Sequence, residues 1–234
     1  MELIDISHWQ NYIDFEKVKN FGIEGCIIKA GGSDSGFYKD SYFEDYYKKA
    51  KEVNLHVGAY YFAGKNFLSA EDGKADAVRF LEIIKGKQFD LPIYLDIEAQ
   101  PSERRKEVTE AAIAFCVYLE SKGYFVGIYA SDISGFKDRL YYNDIANKYT
   151  IWVAHYGCKP IYCYNYDIWQ YTSTAKVDGI FGNVDRDICY KDFPEIIKSK
   201  KLNGYSEEPI LKTNEEIAEE VIKGLWRKWW WKKN

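Results

Sequence analysis

The stretch "LPIYLDIEAQ", residues 91–100, decides how the rest of the chain is read. Leu91 to Ile97 is an apolar run, and it predicts a buried strand over 92–98. Strand side chains alternate faces, so Tyr94, Asp96 and Glu98 share one side and Ile93, Leu95 and Ile97 the other. A single acid at a strand end is often a helix cap or a solvated loop residue. Two acids beside a Tyr on one face are costlier, because charge is buried unfavourably without partners. Such pairs tend to mark sites of chemistry.

Outward from this strand a rhythm emerges. Residues 3–7, 25–31 ("GCIIKAG"), 56–63 ("HVGAYYFA") and 125–131 ("FVGIYAS") read as further strands. Helices are expected over 15–21, 42–53, from Ser69 towards Lys85 with Ser69 as N-cap, and over 106–122. This alternation predicts βαβ units and parallel pairing. Later the pattern changes: 150–156, 166–172 and 184–189 are strands, with little helix between the last two. Eight strands close a barrel with a filled interior, so the expected fold class is α/β, a TIM-like barrel that loses helices in its last third. An open doubly wound sheet is the rival, but no glycine-rich phosphate loop follows the first strand.

Chemistry in such barrels sits at the C-terminal ends of the strands. There the sequence offers Asp5 on the first strand, Asp96 and Glu98 on the fourth, and Asp185 on the eighth, which neighbours the first in a closed barrel. Lys29, Tyr60, Tyr129 and Trp152 or His155 occupy late positions on strands two, three, five and six. Tyr94 shares the acidic face. Gln170 alternates with Trp169 and Tyr171, and sequence leaves open which set points inward. A bowl of acids rimmed by aromatics fits a neutral, hydroxyl-rich ligand, a carbohydrate. Plainer roles exist for each residue alone: Asp5 as a cap, Lys29 as an ion-pair partner, Tyr60 as packing, His8 and His155 as hydrogen-bonded bystanders. Ser7 and His8 are no triad, since adjacent strand residues face opposite ways.

Composition narrows the class. The 234 residues are 47% hydrophobic and include 21 Tyr and 7 Trp, enough for one large domain with an appendage and an aromatic supply suited to stacking sugars. A net charge of -4 argues against nucleic acid as a partner. Five Cys, the first two in apolar runs, read as reduced thiols and not a disulfide framework. Cys158 and Cys163 lack a matching Cys/His pair, so no metal and no cofactor is expected. "MELIDISHWQ" has neither a basic nor an apolar leader region, and no apolar run is long enough to span a membrane. Synthesis in the cytoplasm without a signal peptide is the expectation.

The segments "IDISHWQ", "IIKAGGSDSGFY", "HVGAYYF", "LPIYLDIE", "GIYAS", "IWVAHYG" and "DIWQYTSTAKVDGIFGNVD" follow one another in the order and spacing of glycoside hydrolase family 25. The resemblance covers about residues 1–200. It implies a (β/α)5(β)3 barrel and N-acetylmuramidase activity on the β-1,4 bond between N-acetylmuramic acid and N-acetylglucosamine in peptidoglycan. The family's acids fall on Asp5, Asp96, Glu98 and Asp185. Asp187, on the same strand face, competes with Asp185, which is preferred because it follows "GNV". "KAGGSDSG" departs from the Thr-Glu pair that many members carry after Lys-Ala. Glu98 is the expected general acid, its pKa raised by Asp96 and apolar walls. The resemblance favours retention, with the substrate's own acetamido oxygen attacking the anomeric carbon and Asp96 orienting it. The carboxylate separation that tells retention from inversion is not fixed by sequence. A phage endolysin of a Gram-positive host, waiting in the cytoplasm for a holin, fits the missing leader. A chitinase-like glycosidase would need further acids upstream of Glu98. A non-catalytic wall-binding barrel would have no need of Glu98.

Composition shifts near residue 204, dividing a catalytic barrel (1–204) from a tail (205–234). "TNEEIAEEVIKGLW" reads as an amphipathic helix capped by Thr213 or Asn214, and it resembles the opening of a cell-wall-binding repeat. "RKWWWKKN" then ends it. A one-base shift in AGG AAA TGG TGG TGG AAA would encode Gly-Asn-Gly-Gly-Gly, close to that repeat, so a frameshifted or truncated module is one reading. A basic aromatic tail that touches anionic wall polymers or membrane is the other, and its helix offers a route to homo-oligomers.

Overall fold

The computed structural model describes residues 1–205, and Met1–Gly204 form one compact unit. The expectations for the tail lie outside the described residues. The strands are β1 (Glu2–Ile6), β2 (Gly25–Gly32), β3 (Tyr38–Lys39), β4 (His56–Phe62), β5 (Ile93–Asp96), β6 (Val126–Ser131), β7 (Thr150–Ala154), β8 (Ile168–Ala175) and β9 (Val184–Cys189). Sheet order β1-β9-β8-β7-β6-β5-β4-β2, closed by β1–β2, makes an eight-stranded barrel with β3 hanging on β2 as a hairpin. Helices α1 (Phe15–Asn20), α2 (Phe43–Glu52), α3 (Ala70–Ile84) and α4 (Arg105–Glu120) follow the early strands. Short α5 (Tyr142–Ile145) precedes β7, and α6 (Phe193–Ser199) follows β9. The α/β barrel expected from the strand count is therefore present.

Local signals explain the helix starts. Ser69 Oγ accepts the Asp72 N–H at 3.1 Å, and Asp14 Oδ1 accepts that of Lys17 at 3.2 Å, each satisfying an orphan donor of a first turn. Outward-facing strand residues such as Ile28, Ala59, Tyr61, Ile93 and Leu95 join Phe80 and Phe115 in one buried layer beneath the helices. The Phe80 and Phe115 rings stack with centroids 5.9 Å apart.

The barrel interior is packed from below. A Cβ at Gly127 would stand 2.4 Å from the Tyr94 ring, so only glycine lets that ring fill the floor. Trp152 lies on it, with ring centroids 5.2 Å apart. Six strand pairs, from β1–β2 round to β7–β8, are parallel, whereas β9 runs antiparallel to both β8 and β1. The reversal follows from the short connection after β8, which leaves no crossover helix to bring the chain back to the other end. It decides which acid of β9 reaches the open end of the barrel.

Candidate active site

A cavity of about 260 Å³ opens at the C-terminal ends of the parallel strands. Asp5, Lys29, Tyr60, Asp96, Glu98, Tyr129, Trp152, Gln170 and Asp185 all contribute to its wall. Nine of the ten residues singled out in the sequence thus converge. Tyr94 is the exception: it shares the face of Asp96 but sits a layer deeper, fully buried against Trp152, and does not line the cavity.

The β9 reversal separates Asp185 from Asp187. Asp5 pairs in register with Asp185, and Leu3 with Asp187. Because β9 enters from the open end, its earlier acid lies at the mouth and its later one in the interior. Asp187 is 0% exposed, and its Oδ1 accepts the Trp152 indole N–H at 2.7 Å. Burial, with the charge of Asp185 beside it, pushes its carboxyl well above the usual range against the indole bond. Asp187 is a support of the floor and Asp185 a member of the wall.

Gln170 ties the opposite walls together. Its Nε2 donates to Asp5 Oδ2 at 2.8 Å, and its Oε1 accepts from the hydroxyls of Tyr129 and Tyr156, each at 2.9 Å. Gln170 therefore is the inward member of the β8 alternation. Its neighbours look out: Trp169 donates its indole N–H to His155 O, and the Tyr171 hydroxyl donates to Glu2.

β5 ends at Asp96, two residues before its expected end, so Glu98 stands on the loop beyond it. The two acids are consequently unlike. Asp96 is 4% exposed, while Glu98 opens onto two cavities, the main one and a neighbour of about 270 Å³ that also borders Tyr129, His155 and Tyr156. Burial raises the Asp96 carboxyl well above its ordinary value; Glu98 adds to that, and Lys29 opposes it. Although Glu98 is exposed at the rim, the protein around it excludes enough water to raise its carboxyl as well, against the Tyr129 hydroxyl and the charges of Arg139 and Lys29. The repulsion expected to raise Glu98 falls on Asp96 instead, and Glu98 is raised by loss of water alone; as a coupled pair they keep a proton to higher pH than an isolated carboxylate would. Asp5 is raised by burial, then by Asp185 and Asp187, and Asp185 is pushed up to about 6 chiefly by burial.

Sequence reasoning missed four wall residues: Ser7, Trp9, Phe62 and Tyr156. Trp9 and Tyr156 are 74% and 52% exposed, the kind of open aromatic faces on which sugar rings stack. Their position just past β1 and β7 was the available signal. His8 gives its ring contact to Asp40 at 2.7 Å and stays out of the main cavity. Among the described residues no group of His, Cys, Asp and Glu has the arrangement of a metal site.

A family model described as glycosyl hydrolases family 25 matches residues 4–180. The chain belongs to that family. The matched span includes Asp5, Asp96 and Glu98, whereas Asp185 lies beyond it and joins the site by geometry. Among curated relatives, the autolytic lysozyme of Clostridium acetobutylicum is 32% identical over 188 residues, 80% of this chain and 55% of the relative. The chain thus spans about half of that protein's length. Two solved structures share the barrel. The bacterial lysozyme of Streptomyces coelicolor aligns with a TM-score of 0.74 and 27% identity, over 88% of this chain and 98% of that one. The CTP1L endolysin aligns with a TM-score of 0.72 and 28% identity, over 85% and 69%.

Proposed function

We propose that the chain is a peptidoglycan hydrolase of the lysozyme type, an N-acetylmuramidase that cleaves the β-1,4 bond between N-acetylmuramic acid and N-acetylglucosamine. The observation that carries this reading is the unlike pair at the end of β5. In this reading the proton kept by the pair sits on Glu98 at the mouth of the cavity. Asp96 is buried behind it, with an Oδ1 that has no hydrogen-bond partner among the described residues. A buried, unpaired acceptor is costly, and a substrate N–H would satisfy it.

In this reading Glu98 protonates the leaving glycosidic oxygen. The acetamido oxygen of the sugar attacks its own anomeric carbon, and Asp96 accepts the acetamido N–H and stabilises the positive charge that develops. Glu98, now ionised, takes a proton from the water that opens the cyclic intermediate, so configuration is retained. Tyr129 and Gln170 hold Asp5 and the far wall in place. Trp9 and Tyr156 offer faces for neighbouring sugars.

The names of the relatives, an autolytic lysozyme and an endolysin among them, support wall glycan as the substrate. A phage endolysin of a Gram-positive host, released through a holin, is the biological setting we favour. The acetamido route has its own test: glycan whose muramic acid has been de-N-acetylated should resist cleavage, while the N-acetylated form releases reducing ends. Equal cleavage of both would remove Asp96 from this role.

A further inference from the structure

Beyond the glycan site, the turn after β7 assembles a cluster that glycoside cleavage does not use. Asp132, the residue after β6, is 1% exposed. It accepts the backbone N–H groups of Ile161 at 2.8 Å, Tyr162 at 3.2 Å and Cys163 at 2.8 Å. Burial opposes its charge, yet these bonds prevail and hold the carboxyl below its ordinary range. An ionised carboxylate can only accept, so the contact with His155 Nδ1 at 2.9 Å is an N–H donated to Asp132 Oδ2. That fixes the tautomer and leaves a lone pair on Nε2.

Gly157, at φ +83°, then turns the chain back on itself. The turn brings Cys158 Sγ to 3.3 Å from His155 Nε2, where the thiol donates to the ring. Cys158 is exposed, whereas Cys26, Cys116, Cys163 and Cys189 are buried. His155 also borders the 270 Å³ cavity, so small molecules can reach the cluster. A nucleophile, a base and a buried acid that orients the base is the arrangement of an activated thiol.

We propose that Cys158 is such a thiol, with His155 as its base and Asp132 as the positioning residue, and that it is a covalent modification site for small disulfides. His155 Nε2 takes the thiol proton, and the Cys158 sulfur attacks one sulfur of the disulfide RS–SR. A new S–S bond forms as the old one breaks, and the departing RS⁻ recovers the proton from the imidazolium. The products are the Cys158–S–S–R mixed disulfide and one RSH, the disulfide RS–SR itself being the oxidant. Nothing in this step depends on glycan cleavage.

The test follows thionitrobenzoate release when the full chain meets 5,5′-dithiobis(2-nitrobenzoate). One equivalent should appear in a fast phase, vanish in Cys158→Ser, and slow about tenfold in His155→Ala. Added imidazole should restore the lost rate. Unfolding would instead expose all five cysteines, so the count of equivalents reports whether the His155 variant has kept its fold. Independently of any variant, the native fast phase should outrun the free peptide YGCKPI about tenfold under the same conditions. A native rate no faster than the peptide, or a fast phase that survives Cys158→Ser, would overturn the proposal.

Discussion

Lys29 enters the barrel with its ammonium 4.5 Å from the centre of the Phe62 ring, and its charge lowers both Asp96 and Glu98 against their burial. Removing that charge raises the two carboxyls further. Lys29→Met should therefore shift the alkaline limb of kcat/KM to higher pH, since the proton needed for catalysis is then lost later. A pH–rate profile on soluble glycan checks it; an unmoved or acid-shifted limb would show that Lys29 does not face the acids in solution. Gln170 serves three partners, and Gln170→Leu leaves the Asp5 carboxylate and two tyrosine hydroxyls without it. We expect kcat to fall about 10–100-fold, with KM changing less, because the loss is one of positioning. Much of this was legible beforehand. Asp96 and Glu98 announce themselves by period-two spacing in an apolar run. Tyr94 follows the same spacing and still misses the cavity, because alternation gives the face of a strand and not the depth along it. Trp9 and Tyr156 lie outside regular strands, where no periodicity applies.

Among elements, β9 carries the clearest consequence. Its apolar pattern predicted a strand but not its direction, and direction alone sets Asp185 at the mouth and Asp187 beneath. Asp185→Asn should accordingly impair cleavage, whereas Asp187→Asn keeps an acceptor for the Trp152 indole and removes an ionisable group from the barrel floor. The barrel's lower end depends on a residue no motif revealed. Asn203 is fully buried in the left-handed region, at φ 53°; its Oδ1 accepts the Phe125 N–H at 2.7 Å and its Nδ2 donates to Leu91 O at 2.9 Å. It joins the approach to β6 with the approach to β5. Asn203→Ala strands the buried Leu91 carbonyl and the half-buried Phe125 N–H and should cost about 1–3 kcal/mol in urea unfolding. A loss below about 0.5 kcal/mol would mean the clamp is not formed. The hairpin strand β3 was also invisible in sequence, since two residues are too few for an alternation to register.

For the molecule as a whole, Asp5, Asp96, Glu98, Asp185 and Asp187 all titrate upward through burial. Each binds its proton more tightly folded than unfolded, so the folded state loses stability as pH rises through that interval. For Asp185 the window runs from 3.8 to about 6. Thermal unfolding should therefore give a higher Tm near pH 5 than near pH 7.5, and Asp187→Asn should narrow the gap. The barrel itself was legible from strand count and helix spacing, because closure needs little beyond eight strands of matching pattern. What the barrel does rests on one bond. Purified Gram-positive peptidoglycan is digested with wild type and Glu98→Gln side by side, the fragments are reduced with borohydride, and the new ends are read by mass spectrometry. Muramitol is expected from wild type and a loss of about 10²–10⁴-fold in the variant, with glycan binding kept. Glucosaminitol at the new ends, or cleavage undiminished without Glu98, would contradict the muramidase reading.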